Sequence, residues 1–176
     1  HASLLWLFRR FVEIDEAFYV ELTGSSLGAR TLARIDVADD DAPAAEFVVT
    51  TTDDSGAGSL RKAILDANAH PGHDLIRFDL PRGEVQSIQP LSTLPFVTDP
   101  VTIDGYTQFG ASPNTLAVGD DAVIMVELNG GALSPSAASG LTIAAGPSIV
   151  RGLAINGFSG NGIALNSPGN LVEGNF

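Results

Sequence analysis

Gly140-Leu141-Thr142-Ile143 recurs as Gly162-Ile163-Ala164-Leu165, and Ile149-Val150-Arg151-Gly152 recurs as Leu171-Val172-Glu173-Gly174. Both recurrences are 22 residues apart, and a fixed period of that length marks a repeat architecture. Within each stretch apolar residues tend to fall at every second position, the period of a strand. A repeat this short has no room for a helix beside its strands, so it predicts coils of short parallel strands joined by tight turns, a parallel β-helix. Strands stacked about 4.8 Å apart would place Leu141 over Ile163, Ile143 over Leu165 and Val150 over Val172.

Working backwards, Glu127-Leu128-Asn129-Gly130 lies 22 residues before the Ile149 group, and Thr102-Ile103-Asp104-Gly105 lies 25 residues before that. The same spacing predicts one interior column of Ile103, Leu128, Val150 and Val172. Beside it runs an outward ladder of Asp104, Asn129, Arg151 and Glu173, with Asp104 and Glu173 three steps or roughly 14 Å apart. Gly105, Gly130, Gly152 and Gly174 mark corners where the backbone must turn sharply. Asn156, Asn161, Asn170 and Asn175 suit the adjoining turns, since Asn hydrogen-bonds its own turn readily.

Upstream of the repeat, Phe47 to Thr52 reads as a strand and Asp53-Asp54-Ser55-Gly56-Ala57-Gly58 as a turn. Ser59 is a good helix N-cap. Leu60, Ala63, Ile64 and Ala67 follow it at helical spacing on one face, and Pro71-Gly72 stops the run. A lone helix of about ten residues is marginal in water, so its apolar face must cover something, and the end of a stacked core is the natural candidate. The stretch Asp53 to Asn68, continued by Asp74-Leu75-Ile76-Arg77-Phe78, resembles the segment that introduces bacterial surface β-helix proteins. The resemblance implies that residues 46–176 are an N-terminal cap and the first coils of a right-handed, pectin-lyase-like β-helix.

The first forty residues have a different grain. Phe18, Val20 and Leu22 alternate with polar neighbours, as do Ala33, Ile35 and Val37, with Gly24-Ser25-Ser26 and Gly28 between. This predicts an antiparallel strand pair, too small to stand alone. Glu13, Asp15 and Glu16 enter the pair and Asp39, Asp40 and Asp41 leave it, so an antiparallel return brings acidic groups together. Calcium takes six to eight oxygens, and such a convergence is a chemically sensible site; a solvated acidic loop is the alternative. Val12 to Leu22, followed by Ala33-Arg34-Ile35-Asp36-Val37-Ala38-Asp39-Asp40-Asp41, resembles the end of a Calx-beta domain. That resemblance implies a partial immunoglobulin-like sandwich at residues 1–41 with calcium (Ca2+) ligands at Glu13, Glu16, Asp39, Asp40 and Asp41. Phe8-Arg9-Arg10-Phe11 departs from the family pattern, which has aspartates there. Pro43 makes residues 42–45 a linker.

Composition narrows the function classes. Of 176 residues, 21 are acidic and 9 basic, a formal charge of -12 that repels a phosphate backbone and argues against nucleic acid as a partner. No cysteine is present, which excludes disulfides and thiolate metal sites. The apolar run Ser3 to Phe8 is far too short to span a bilayer, so no membrane insertion is expected. The first residue, His1, and the last, Phe176, inside a repeat, suggest a piece of a longer protein with an open β-helix end available for self-association.

The all-β reading leads to a structural or adhesive module of a secreted or cell-surface bacterial protein, with carbohydrate or another surface protein as candidate partners. Two alternatives stand beside it: the N-terminal part of a β-helix polysaccharide lyase or glycoside hydrolase, and a carbohydrate-binding solenoid without catalysis. Either enzyme chemistry needs clustered acids or a base on one face. The ladder above supplies one carboxylate at each end with Arg151 between them. His1, His70 and His73 lie outside the repeats. No catalytic residue is assigned.

Overall fold

A computed structural model describes residues 17–22, 31–36, 43–133 and 138–176. The chain divides into two compact units, His1–Asp41 and Ala42–Phe176. In the first, β1 (Ala17–Leu22) and β2 (Thr31–Asp36) pair antiparallel, with Val20 opposite Ala33 and Leu22 opposite Thr31. The expected calcium ligands Glu13, Glu16, Asp39, Asp40 and Asp41 lie outside the described residues.

Among its described residues the second unit is mostly β with one α-helix. In order it runs β3 (Glu46–Val49), α1 (Leu60–Ala67), β4 (Asp74–Phe78), β5 (Gln86–Ile88), β6 (Val101–Asp104), β7 (Val126–Asn129), β8 (Leu141–Ile143), β9 (Ile149–Arg151), β10 (Ala154–Asn156), β11 (Ile163–Leu165) and β12 (Leu171–Glu173). The strands form three sheets, ordered β3-β4-β6-β9-β12, β5-β7-β10 and β8-β11. Every strand ladder among them is parallel. From β6 onward the chain visits the first, second and third sheet in turn and then returns to the first, while before β6 the third sheet is met only by an isolated parallel bridge from Val97 to Ile143. Strands only three to five residues long suffice because each is paired along its length, and those in the interior bury alternate side chains, as in Leu141-Thr142-Ile143, where Leu141 and Ile143 are buried and Thr142 is half-buried.

All three sheets share one core. Ile76, Ile103 and Val150 come from the first sheet, Ile88 and Leu128 from the second, and Leu141 and Ile143 from the third, all essentially inaccessible. The helix closes the early end of this core. Ser59 accepts a hydrogen bond from the Lys62 N–H as N-cap, and Leu60, Ala63, Ile64 and Ala67 are buried and join the same cluster. Asn68 then ends the helix, and its side-chain amide binds both Phe96 O and Thr98 N at 2.7 and 2.8 Å. Arg61 ties the helix to the following loop through Ser92 O and Thr93 O, each at 2.8 Å, while also bonding Asp54 at 2.7 Å.

The 22-residue recurrences are strand pairings: Leu141 lies beside Ile163, Ile143 beside Leu165, and Val150 beside Val172. Ile103 sits beside Val150 as expected. Leu128 does not join that column. It pairs with Ile88 on one side and Ile155 on the other, in the second sheet. The motif that suggested otherwise is a local one. Asp104 and Asn129 each cap a short 3-10 turn by accepting from the N–H two residues on, Tyr106 and Gly131 respectively, so a strand followed by Asp/Asn-Gly reports the turn and not the sheet. The pass from Thr102 to its neighbour Ile149 is also 47 residues long, against 22 from Ile149 to Leu171, because a loop after β6 and a second one after β7 are inserted into it.

Glycine is required where these passes lie closest. A Cβ on Gly105 would stand 2.0 Å from Gly152 O, and one on Gly152, whose φ is +72°, would stand 2.7 Å from the Tyr106 nitrogen. No Ala fits at the first position without moving backbone, and the second is in the left-handed region as well. Elsewhere polar side chains stand in for backbone partners between passes. Buried Gln108 accepts from Leu80 N at 2.8 Å and donates to Leu80 O at 3.0 Å. Asn170 accepts from Ser148 N, and Asn175 from Leu153 N.

Candidate functional site

The outer face of the first sheet carries a row of charges set by strand register. Arg77, Asp104, Arg151 and Glu173 are successive neighbours across β4, β6, β9 and β12, and Glu46 on β3 bonds Arg77. The sign therefore alternates along the row. Arg151 donates to Asp104 Oδ2 at 2.7 Å and stands 3.9 Å from Glu173 Oε1. Its pKa is raised above the usual arginine value, chiefly by the hydrogen bond to Asp104.

Asn129, expected in this ladder, is in the second sheet beside Asn156. With it gone, Asp104 and Glu173 are two steps apart, roughly 9.6 Å at strand spacing, and not the three steps expected. That separation is close to what an inverting glycosidase pair spans. The spacing of the two carboxylates therefore does not by itself exclude paired acid-base chemistry. What stands against it is the guanidinium of Arg151 between the two carboxylates, bonded to the nearer one, where a substrate and a water would have to enter.

Beside this row lies an open depression of about 640 Å³ bordered by Tyr106, Asn114, Asp120, Arg151, Glu173 and Phe176. One wall is the inserted loop, which holds its own shape. Asp121 accepts from Thr115 N and Oγ1, both at 2.6 Å, and Asn114 accepts from Leu116 N and Asp121 N. These bonds to Thr115 keep the Asp121 carboxyl below its usual pKa. On the other wall Tyr106 donates its hydroxyl to Gly174 O at 2.9 Å. Its pKa is raised by burial, and further by the carboxylates of Asp120, Asp104 and Glu173. Both effects favour the neutral phenol over the phenolate.

The described histidines His70 and His73, and Glu127, are engaged in structure. His70 Nδ1 lies 2.9 Å from buried Asp74, which also accepts from Ala45 N, and His73 Nε2 lies 2.8 Å from Thr102 Oγ1. Glu127, on the second sheet, is held below its usual pKa first by the Asn156 side chain, 2.8 Å away. Among the described residues no group of three or more His, Cys, Asp or Glu is placed to hold a metal, and no helix is long and apolar enough to cross a membrane.

Sequence reasoning located Asp104, Arg151 and Glu173 and missed Tyr106 and Asn114. These lie outside any repeat, and only the loop's return over the sheet brings them to the row. No family model, no curated protein and no solved structure matches the chain.

Proposed function

We propose that residues 46–176 are the cap and first coils of a right-handed, pectin-lyase-like parallel β-helix, serving as a rigid structural or adhesive module of a secreted or cell-surface bacterial protein. One observation carries the reading: a single apolar core continues through three parallel sheets, while the charged row outside it is paired with itself, Glu46 with Arg77 and Asp104 with Arg151. Side chains so engaged hold strands in register, and among the described residues of the row Arg151, not a free base, stands between the two carboxylates. The likeness of residues 11–41 to the end of a Calx-beta domain suits the same role, with calcium at Glu13, Glu16, Asp39, Asp40 and Asp41 stiffening that part of the chain.

The test is a turnover assay of the whole chain with pectin, polygalacturonate and alginate, with and without calcium. No turnover is expected. Turnover that disappears in both Arg151→Ala and Glu173→Ala would overturn the structural reading in favour of a polysaccharide-cleaving enzyme.

A further inference from the structure

Two kinds of glycine stand at the corners of this fold. Gly152 and Gly157 have φ of +72°, a conformation that a residue with a Cβ rarely adopts, so the turn itself requires glycine there. Gly130 and Gly140 are buried too, but neither has a positive φ. Gly130 opens a short 3-10 turn, and the backbone there would accept alanine.

One ring fills the space where their side chains would be. A Cβ on Gly130 would stand 2.5, 2.6 and 2.8 Å from Cδ1, Cγ and Cε1 of Phe158, its three nearest atoms, and one on Gly140 would stand 2.9 Å from Phe158 Cε2. The two edges of the ring thus face different glycines. Gly130 begins the connection from β7 to β8 and Gly140 ends it, while Phe158 comes from the turn after β10 and packs half-buried against the shared core. Tyr106 shows the same arrangement at another corner. A Cβ on Gly152 would stand 2.8 Å from Tyr106 Cγ, and the Tyr106 hydroxyl reaches Gly174 O at 2.9 Å.

We propose that Phe158 is a clasp that fastens both ends of the β7–β8 connection at once, and that Gly130 is glycine in order to seat the ring, not to bend the chain. Gly140 answers to the ring and also to Gly162 O, 2.5 Å from its Cβ position, so Gly130 is the cleaner place to test the seat. The clasp is independent of any adhesive role, because it rests only on contacts within the fold.

A double-mutant cycle on the full 176-residue chain, read by urea unfolding with circular dichroism, tests the seat. Gly130→Ala should lower the midpoint by about 0.5 M or more on its own, and by less than about 0.2 M in a Phe158→Ala background, where the ring is gone. Gly152→Ala is the control, with a shift that Phe158→Ala leaves unchanged. Equal shifts for Gly130→Ala in the two backgrounds overturn the seat. Hydrogen exchange tests the clasp. Leu133 N, bonded to Gly130 O, and Gly140 N, bonded to Asn161 O, both at 2.9 Å, report its two ends. In Phe158→Ala both amides should exchange about tenfold faster relative to that of Ile103. Phe158→Leu keeps much of the apolar volume, and so the fold, but has no atom at the Cε2 position; Gly140 N should accelerate in it more than Leu133 N. Acceleration at one end only in Phe158→Ala, or at neither end in both variants, overturns the clasp.

Discussion

Replacing Ile103 by alanine tests the stacked core where it is deepest. Ile103 is fully buried, with Ile76 on one neighbouring strand and Val150 on the other. The change removes three carbons, about 2.4 kcal/mol of transfer free energy at roughly 0.8 per methylene. If roughly 50 Å³ of the space fails to close, the cavity adds about 1.2 kcal/mol. The expected loss is therefore about 3.5 kcal/mol. Val172→Ala, in the same column but 40% exposed, removes two carbons that are only partly buried and should cost about 1 kcal/mol or less. Urea unfolding of the whole chain, followed by far-ultraviolet circular dichroism, reads the difference. With a slope near 2 kcal/mol/M, Ile103→Ala should lower the midpoint by well over 1 M and Val172→Ala by about 0.5 M or less. Equal midpoint shifts for the two variants would refute a column that is deep at β6 and open at β12.

Further outcomes follow from single contacts. Gly105→Ala should destabilise by about 2 kcal/mol or more, since its Cβ would press on Gly152 O at 2.0 Å; a midpoint equal to wild type would contradict the close approach. Gln108→Leu leaves the Leu80 N–H and C=O without their partners and should cost about 2–4 kcal/mol, read in the same urea assay. Asp54 has its pKa lowered below 3.8, mainly by the Arg61 hydrogen bond. Its contribution is thus fully present above the unfolded value and is lost as pH falls below about 3.8 toward the lower folded value. Asp54→Asn should be less stable than wild type at pH 7, with the gap narrowing toward pH 2.5; a gap constant with pH would rule out the linkage. Calcium binding to the whole chain, read by titration calorimetry, is expected to be weaker than that of calcium buffers near 10⁻⁸ M, and Asp40→Ala should abolish it.

How much of this was legible in the sequence depended on whether a pattern was local or long-range. The helix was readable to within a residue or two because cap, apolar face and stop are all contained in Ser59 to Gly72. The pairings of β8 with β11 and of β9 with β12 were readable because nothing is inserted between them and the period is constant. Leu128 was misplaced because Asp104-Gly105 and Asn129-Gly130 share a turn chemistry that recurs in two different sheets. The inserted loop broke the period that would have separated them. Tyr106, Asn114 and Asp120 were invisible as a group for a related reason: a loop that folds back carries no periodicity, and its shape is set by internal hydrogen bonds such as those of Asp121 with Thr115.

Register is the claim on which everything else rests, and the absence of native cysteines makes it directly measurable. Cysteine pairs at outward neighbours of each sheet, Thr102 with Ile149, Glu127 with Ala154 and Thr142 with Ala164, stand about 4.8 Å apart, within reach of a disulfide. Thr102 with Glu127 is the control, paired by the sequence period and separated by the structure. After mild oxidation, mass spectrometry of proteolytic fragments should find the first three pairs cross-linked and the control free. Cross-linking of Thr102 with Glu127, together with failure of Glu127 with Ala154, would contradict the three-sheet arrangement.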